Sequence, residues 1–198
     1  MAHIDVFKGW ADSLRSDIEA YKSLLESSKA DDHSRKLAGA ALLYLVSRMD
    51  LIPDWNEGIG VIDDVMILRV CAQLTQSHDR GALPTQAEIS LERMANEADK
   101  IVQFLGSSLY DKLKAHAAKL AEQAVKGRSP AQLMEDAAMR KALYSELEDE
   151  LKRSVPIVVN DPTDAELDDD IKRTVPIVVG DPADTEVRLK AYLTHKLK

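Results

Sequence analysis

Apolar residues recur at intervals of three and four along most of this chain, and that regularity restricts it to packed helices. The clearest run is Ile4, Phe7, Trp10, Leu14, Ile18, Tyr21 and Leu25, which share one face of a helix over about residues 3–27. The opposite face carries Lys8, Asp12, Arg15, Asp17, Glu19 and Lys22. Mixed charge on that face favours a helix packed on a core over one lying on a membrane.

Residues 28–34 are polar and acidic and read as a loop that caps the next helix. That helix, about residues 35–49, is apolar on most faces and is expected to be central. Pro53 stops it, because the residue before a proline is disfavoured in helical geometry. Gly58 and Gly60 permit a tight return, and Asp63 is placed to cap a second apolar helix over about 64–76. Thr85 and Glu88 form the pattern of a capping box and open a helix that Gly106 breaks or kinks. A further helix ends at Gly127. Ser129-Pro130-Ala131-Gln132 is a second capping box, with proline at the first helical position, and its helix runs to about Arg153. Residues 1–153 thus read as one helical domain.

The remainder, 154–198, changes character. DELKRSVPIVVNDPTDAEL at 149–167 is followed by DDIKRTVPIVVGDPADTEV at 169–187. A period of twenty with Val-Pro-Ile-Val-Val and Asp-Pro unchanged is an internal duplication. Each unit reads as a short strand, a turn and a short helix, the second capped by Asp184. The expected fold class is therefore mainly α, a helical bundle with a short duplicated strand–helix C-terminal tail. Pro156 and Pro176 remove ladder donors, which confines the segments Val155-Pro156-Ile157-Val158-Val159 and Val175-Pro176-Ile177-Val178-Val179 to sheet edges or extended peptides. They either clasp the body and pair with each other, or add to a partner or another copy, where two linked sites raise avidity.

Charge narrows the partners. With 26 basic against 34 acidic side chains the net charge is −8, and no basic stripe overrides it, so nucleic acid is not expected. Cys71 is the only cysteine, which excludes an intrachain disulfide and fits a reducing compartment. It reads as a small buried apolar residue. The first residues lack the pattern of a signal peptide. The longest apolar run, 37–46, is half of the roughly 20 residues a membrane span needs.

One stretch has a more specific look. Tyr44-Leu45 leads to Asp50-Leu51-Ile52-Pro53-Asp54, then Gly60, then Asp63-Asp64 before an apolar helix. Over about residues 36–76 this resembles the family known as domain of unknown function 1232. Many of its members are small bacterial proteins and some are membrane-associated through this hairpin. Two departures stand out: Arg48 where the family often has proline, and Asn56-Glu57 where it often has an apolar connector ending in proline. Charged residues there raise the cost of entering lipid. The resemblance implies a helical fold more firmly than a membrane location.

Chemistry is sparse. Asp50, Asp54, Asp63 and Asp64 are the weak candidates for a metal, since hard cations take oxygen ligands. Capping and connector hydrogen bonds are the more ordinary use of aspartates at helix ends. No histidine lies close in sequence to complete a transition-metal set; His33 and His78 are the nearest, and each of the five histidines stands alone. Gly58-Ile59-Gly60 lacks what a phosphate loop needs. Ser47 and Ser154 have no evident base. Trp10 and Trp55 read as packing residues. No cofactor or enzyme activity is expected. The expectation is a cytoplasmic adaptor or assembly protein that docks or self-associates through residues 155–159 and 175–179. The alternatives are a protein peripheral to the inner membrane that uses the 37–74 hairpin, and a carboxylate metal-binding protein.

Overall fold

The computed structural model describes residues 3–47, 51–52, 60–153 and 182–198. The described residues are mainly helical, with α1 (His3–Asp12), α2 (Leu14–Glu26), α3 (Asp32–Leu45), α4 (Gly60–Thr75), α5 (Thr85–Leu105), α6 (Ser107–Leu120), α7 (Pro130–Glu135), α8 (Ala137–Arg153) and α9 (Pro182–Lys196). Both Val-Pro-Ile-Val-Val segments lie outside the described residues, as do Asp50, Asp54 and Trp55.

α4 is the central element. Val65, Met66, Ile67, Leu68, Val70, Cys71 and Ala72 are all buried, so every face of the helix is covered. Its neighbours are α1, α3, α5 and α6. α3 is its counterpart, with all residues from Leu37 to Tyr44 buried and α2, α4, α6, α7 and α8 around it. At the crossing with α7, Gly39 lets Pro130 approach so closely that an added Cβ would sit 3.2 Å from it.

The expected helix over 3–27 is two helices. Ser13 has φ −90° and ψ −1°, and its hydroxyl lies 3.0 Å from the Trp10 carbonyl. That bond from side chain to backbone competes with helix continuation, which the apolar spacing does not report. A similar break splits the helix expected after Ser129. Asp136 takes ψ 104°, and its carboxylate accepts the Ala138 and Met139 N–H groups at 2.8 and 3.0 Å. Gly106, at φ +80°, separates α5 from α6 as expected.

The capping picture is mixed. The Ser129–Gln132 box forms in full, with Pro130 in the first turn. The Thr85–Glu88 box does not, because Thr85 is already helical behind Pro84 and no side chain caps that end. α3 begins at Asp32, capped by Asp31, which accepts the Ser34 N–H at 2.6 Å. α6 stops at Leu120, short of Gly127, and residues 121–128 turn with an isolated bridge between Val125 and Arg128. α9 is fifteen residues long, not short, and Asp184 lies inside its first turn, so it is not the cap.

Two loops lock the α2–α3 and α4–α5 turns together. The Asp31 N–H donates to the Asp79 carbonyl at 2.9 Å, and the Asp79 N–H returns to the Asp31 carboxylate at 3.0 Å. Gly81, at φ +63°, presses on this turn, where a Cβ would stand 2.6 Å from the Lys29 carbonyl carbon. Gly81→Ala therefore combines backbone strain with a clash against main chain. It is expected to lose roughly 2–4 kcal/mol of stability. A thermal melt by circular dichroism within a degree of the unsubstituted chain would refute that.

Candidate functional site

The aspartate-bearing hairpin is organised by two buried side chains. α4 begins at Gly60, so Asp63 lies within the first turn and does not cap it. Its carboxylate turns back toward the connector. The Tyr44 hydroxyl donates to Asp63 Oδ2 at 2.6 Å, and the Ile52 N–H donates to the same oxygen at 3.1 Å. The Tyr44 oxygen in turn accepts the Leu51 N–H at 2.9 Å. Burial, then the charges of Asp63 and Asp64, push the Tyr44 phenol well up, so it remains a donor. Tyr44, Leu51, Ile52 and Asp63 thus fix how the connector meets both helices.

Oδ2 of Asp63 accepts both of these hydrogen bonds, and Asp64 is only partly buried on the next position of α4. Among the described residues no group of three or more His, Cys, Asp or Glu side chains is placed to hold a metal.

A second polar cluster lies deeper and had no place in the sequence reading. Arg69, in the middle of apolar α4, has no exposed side-chain surface. Its guanidinium meets Asp17 at 3.0 Å and Glu97 at 2.9 Å, and donates to Ser13 Oγ at 3.2 Å. It also stacks over Trp10 with 4.6 Å from Cζ to the ring centroid. Arg93 from α5 bonds the other oxygen of Asp17 and reaches Glu97 at 3.1 Å. Burial weakens the charged form of Arg69, and the carboxylates of Asp17 and Glu97 offset part of that loss. Burial also pulls on Arg93, but Asp17 and Glu97 outweigh it and raise the net value. Two arginines and two carboxylates neutralise one another here, so the cluster ties α2, α4 and α5 and offers no uncompensated charge for a ligand.

Other sequence candidates resolve more simply. Cys71 is buried, and burial pushes its thiol up to about 12, far from a reactive thiolate. Trp10 packs in the core. His33 and His78, distant in sequence, stack with ring centroids 4.2 Å apart, and His78 lies 3.6 Å from Asp31. No helix among the described residues is long and apolar enough to cross a membrane.

The duplicated segments lie between two anchored helices. α8 contacts α3 and α7, and Arg15 of α2 bonds Glu148 on α8 at 3.1 Å. α9 returns to α1, burying Leu189, Leu193 and Leu197. Glu186 accepts the Ile4 N–H at 3.1 Å, and Lys190 donates to the Phe104 carbonyl at 3.2 Å.

No curated protein and no solved structure matches the chain. Residues 34–69, which contribute Tyr44, Leu51, Ile52, Asp63 and Arg69, are similar to the family described as Protein of unknown function (DUF1232).

Proposed function

We propose that this chain is a non-catalytic adaptor or assembly protein that docks to a protein partner, or to itself, through residues 155–159 and 175–179. The observation that carries the reading is the duplication itself, whose two Val-Pro-Ile-Val-Val segments stand in sequence between α8 and α9. Both helices are anchored to the body, so the repeats belong to a stretch held at each end. Two identical apolar, strand-forming segments on one tether would bind two edges or grooves with a combined avidity above either alone. The strand character of these segments is part of the proposal.

The helical body supports this by what it spends internally. Its buried carboxylates and arginines are engaged with one another or with connector amides. The apolar residues of the 37–74 hairpin fill the core, where Leu37, Leu42, Leu43, Val65 and Leu68 are all buried. A membrane role for the hairpin would require it to leave that core, so the docking reading is preferred.

Ending the chain at Arg153 is a poor test, because it also removes α9 from α1. The better variant replaces residues 155–159 and 175–179 by Gly-Ser and keeps α9. That variant is expected to lose at least tenfold in partner affinity, or in self-association by sedimentation, while its helical circular dichroism is unchanged. Unchanged association in a folded variant would end the proposal.

A further inference from the structure

His33 lies in the first turn of α3 and His78 in the turn that follows α4. Their rings meet with centroids 4.2 Å apart and planes tilted by 37°. The backbone holds the two rings together. The Asp31 N–H donates to the Asp79 carbonyl at 2.9 Å, and the Asp79 N–H returns to the Asp31 carboxylate at 3.0 Å. The residues flanking the two histidines are therefore tied to each other. Both rings reach solvent: His33 is exposed, and the His78 side chain is 33% exposed.

The surrounding charge suits a cation. Asp31, Asp32 and Asp79 stand within two positions of one or other histidine, and Arg35 approaches Asp32 only to 4.0 Å. His78 Nδ1 lies 3.6 Å from Asp31 Oδ2. Burial pushes the Asp31 carboxyl up, but the Ser34 and Asp79 N–H groups, the Ser34 hydroxyl and His78 outweigh it and hold it below its ordinary value. Asp31 is thus a carboxylate behind one nitrogen of His78. That is the outer-shell arrangement that orients a ligating imidazole and leaves its other nitrogen for a metal.

An imidazole nitrogen binds a first-row metal at about 2.0–2.1 Å, which puts the ion roughly 3.2 Å from the ring centre. Two imidazoles in adjacent positions on one ion then have centres roughly 4.5 Å apart. The observed separation is slightly shorter, and a 37° tilt is open to such a pair because each ring can turn about its metal–nitrogen axis. We propose that His33 and His78 form a two-histidine clamp for a divalent first-row transition metal of the Zn²⁺, Ni²⁺ and Cu²⁺ class. Imidazole ligands select these ions over Mg²⁺ and Ca²⁺. The chain supplies two ligands, fewer than a closed structural site has, so water fills the other positions and the ion is exchangeable. Bound there, the metal joins the α2–α3 turn to the α4–α5 turn. The proposal does not depend on docking through the Val-Pro-Ile-Val-Val segments.

The test is calorimetry of the full, untagged chain with Ni²⁺, repeated on His33→Gln, His78→Gln and, as a control, His195→Gln at an exposed position of α9. The unsubstituted chain is expected to bind a single ion. Outer-shell partners alone are worth about 10–100-fold in metal affinity, so removing either ligating ring is expected to weaken binding at least tenfold. His195→Gln should leave it unchanged. Excess Mg²⁺ should not displace the Ni²⁺, since Mg²⁺ takes oxygen ligands. The Asp79 amide, bonded across the two turns, should exchange its hydrogen more slowly when Ni²⁺ is added, and at an unaltered rate in both clamp variants. His33 is exposed, so its replacement is expected to keep the helical circular dichroism, which separates a lost ligand from a lost fold. Absence of binding by the unsubstituted chain, full binding by His33→Gln, or displacement by Mg²⁺ overturns the proposal.

Discussion

Arg69→Met is expected to cost roughly 3–5 kcal/mol of folding stability, because it strands Asp17 inside the protein. Asp17 is wholly buried, and Arg69 is the partner approaching it from α4. Arg93 remains on the other oxygen, but it comes from the rim and is a third exposed. Methionine keeps most of the side-chain volume and its contact with Trp10, so lost packing contributes little. Urea unfolding read at the Trp10 ring's signal and by circular dichroism measures the change. A second substitution, Asp17→Asn, removes the stranded charge and is expected to recover part of the loss. The effect should persist in high salt, since a pair without solvent contact is screened weakly. A loss for Arg69→Met below about 1 kcal/mol would mean the cluster is energetically idle.

Asp63→Ala acts on the hairpin connector. It leaves the Tyr44 hydroxyl and the Ile52 N–H without the carboxylate oxygen they share, in a site closed to water. Each stranded donor costs about 1–3 kcal/mol, so a total near 3 kcal/mol is expected. Tyr44→Phe removes the acceptor of the Leu51 N–H as well as the donor to Asp63, and should cost about 2 kcal/mol. Because the two side chains act on one turn, the double variant is expected to lose about 1–2 kcal/mol less than the sum. Additive losses in hydrogen-exchange or denaturant measurements would show that the two residues work separately.

Much of the bundle was legible from spacing alone. Apolar periodicity located the helices, and the apolar character of residues 35–49 marked α3 as central, a place it shares with α4. What spacing could not show is where a helix stops for reasons local to one side chain. Ser13 and Asp136 each divide an apolar run without interrupting its pattern, because their side chains bond neighbouring backbone. Asp17, grouped by its charge with the polar face of residues 3–27, is instead buried beside Leu14 and Ile18 in α2. A signal for the cluster was present in Val-Met-Ile-Leu-Arg-Val-Cys-Ala, where one arginine stands in an eight-residue stretch that is otherwise apolar. Such a residue requires carboxylate partners from other helices. Which carboxylates answer it depends on helix packing, and a sequence does not display that.

The family hairpin shows the same division. Its aspartates were recognisable, and caps were the ordinary expectation. Asp63 instead starts three residues inside its helix and bonds a tyrosine nineteen positions earlier. The Asp50 and Asp54 positions and both Val-Pro-Ile-Val-Val segments are outside the described residues.

The bond between Ile4 and Glu186 joins positions 182 apart. During synthesis, α1 therefore leaves the ribosome long before α9 exists. At the roughly 5–20 residues per second of translation, the surface of α1 that α9 meets stands open for on the order of ten seconds or more. The side of α1 that meets α9 is covered only after α4 has packed on the rest of it. A nascent chain carries an uncovered apolar strip for that interval, and in a polysome its neighbours carry the same strip.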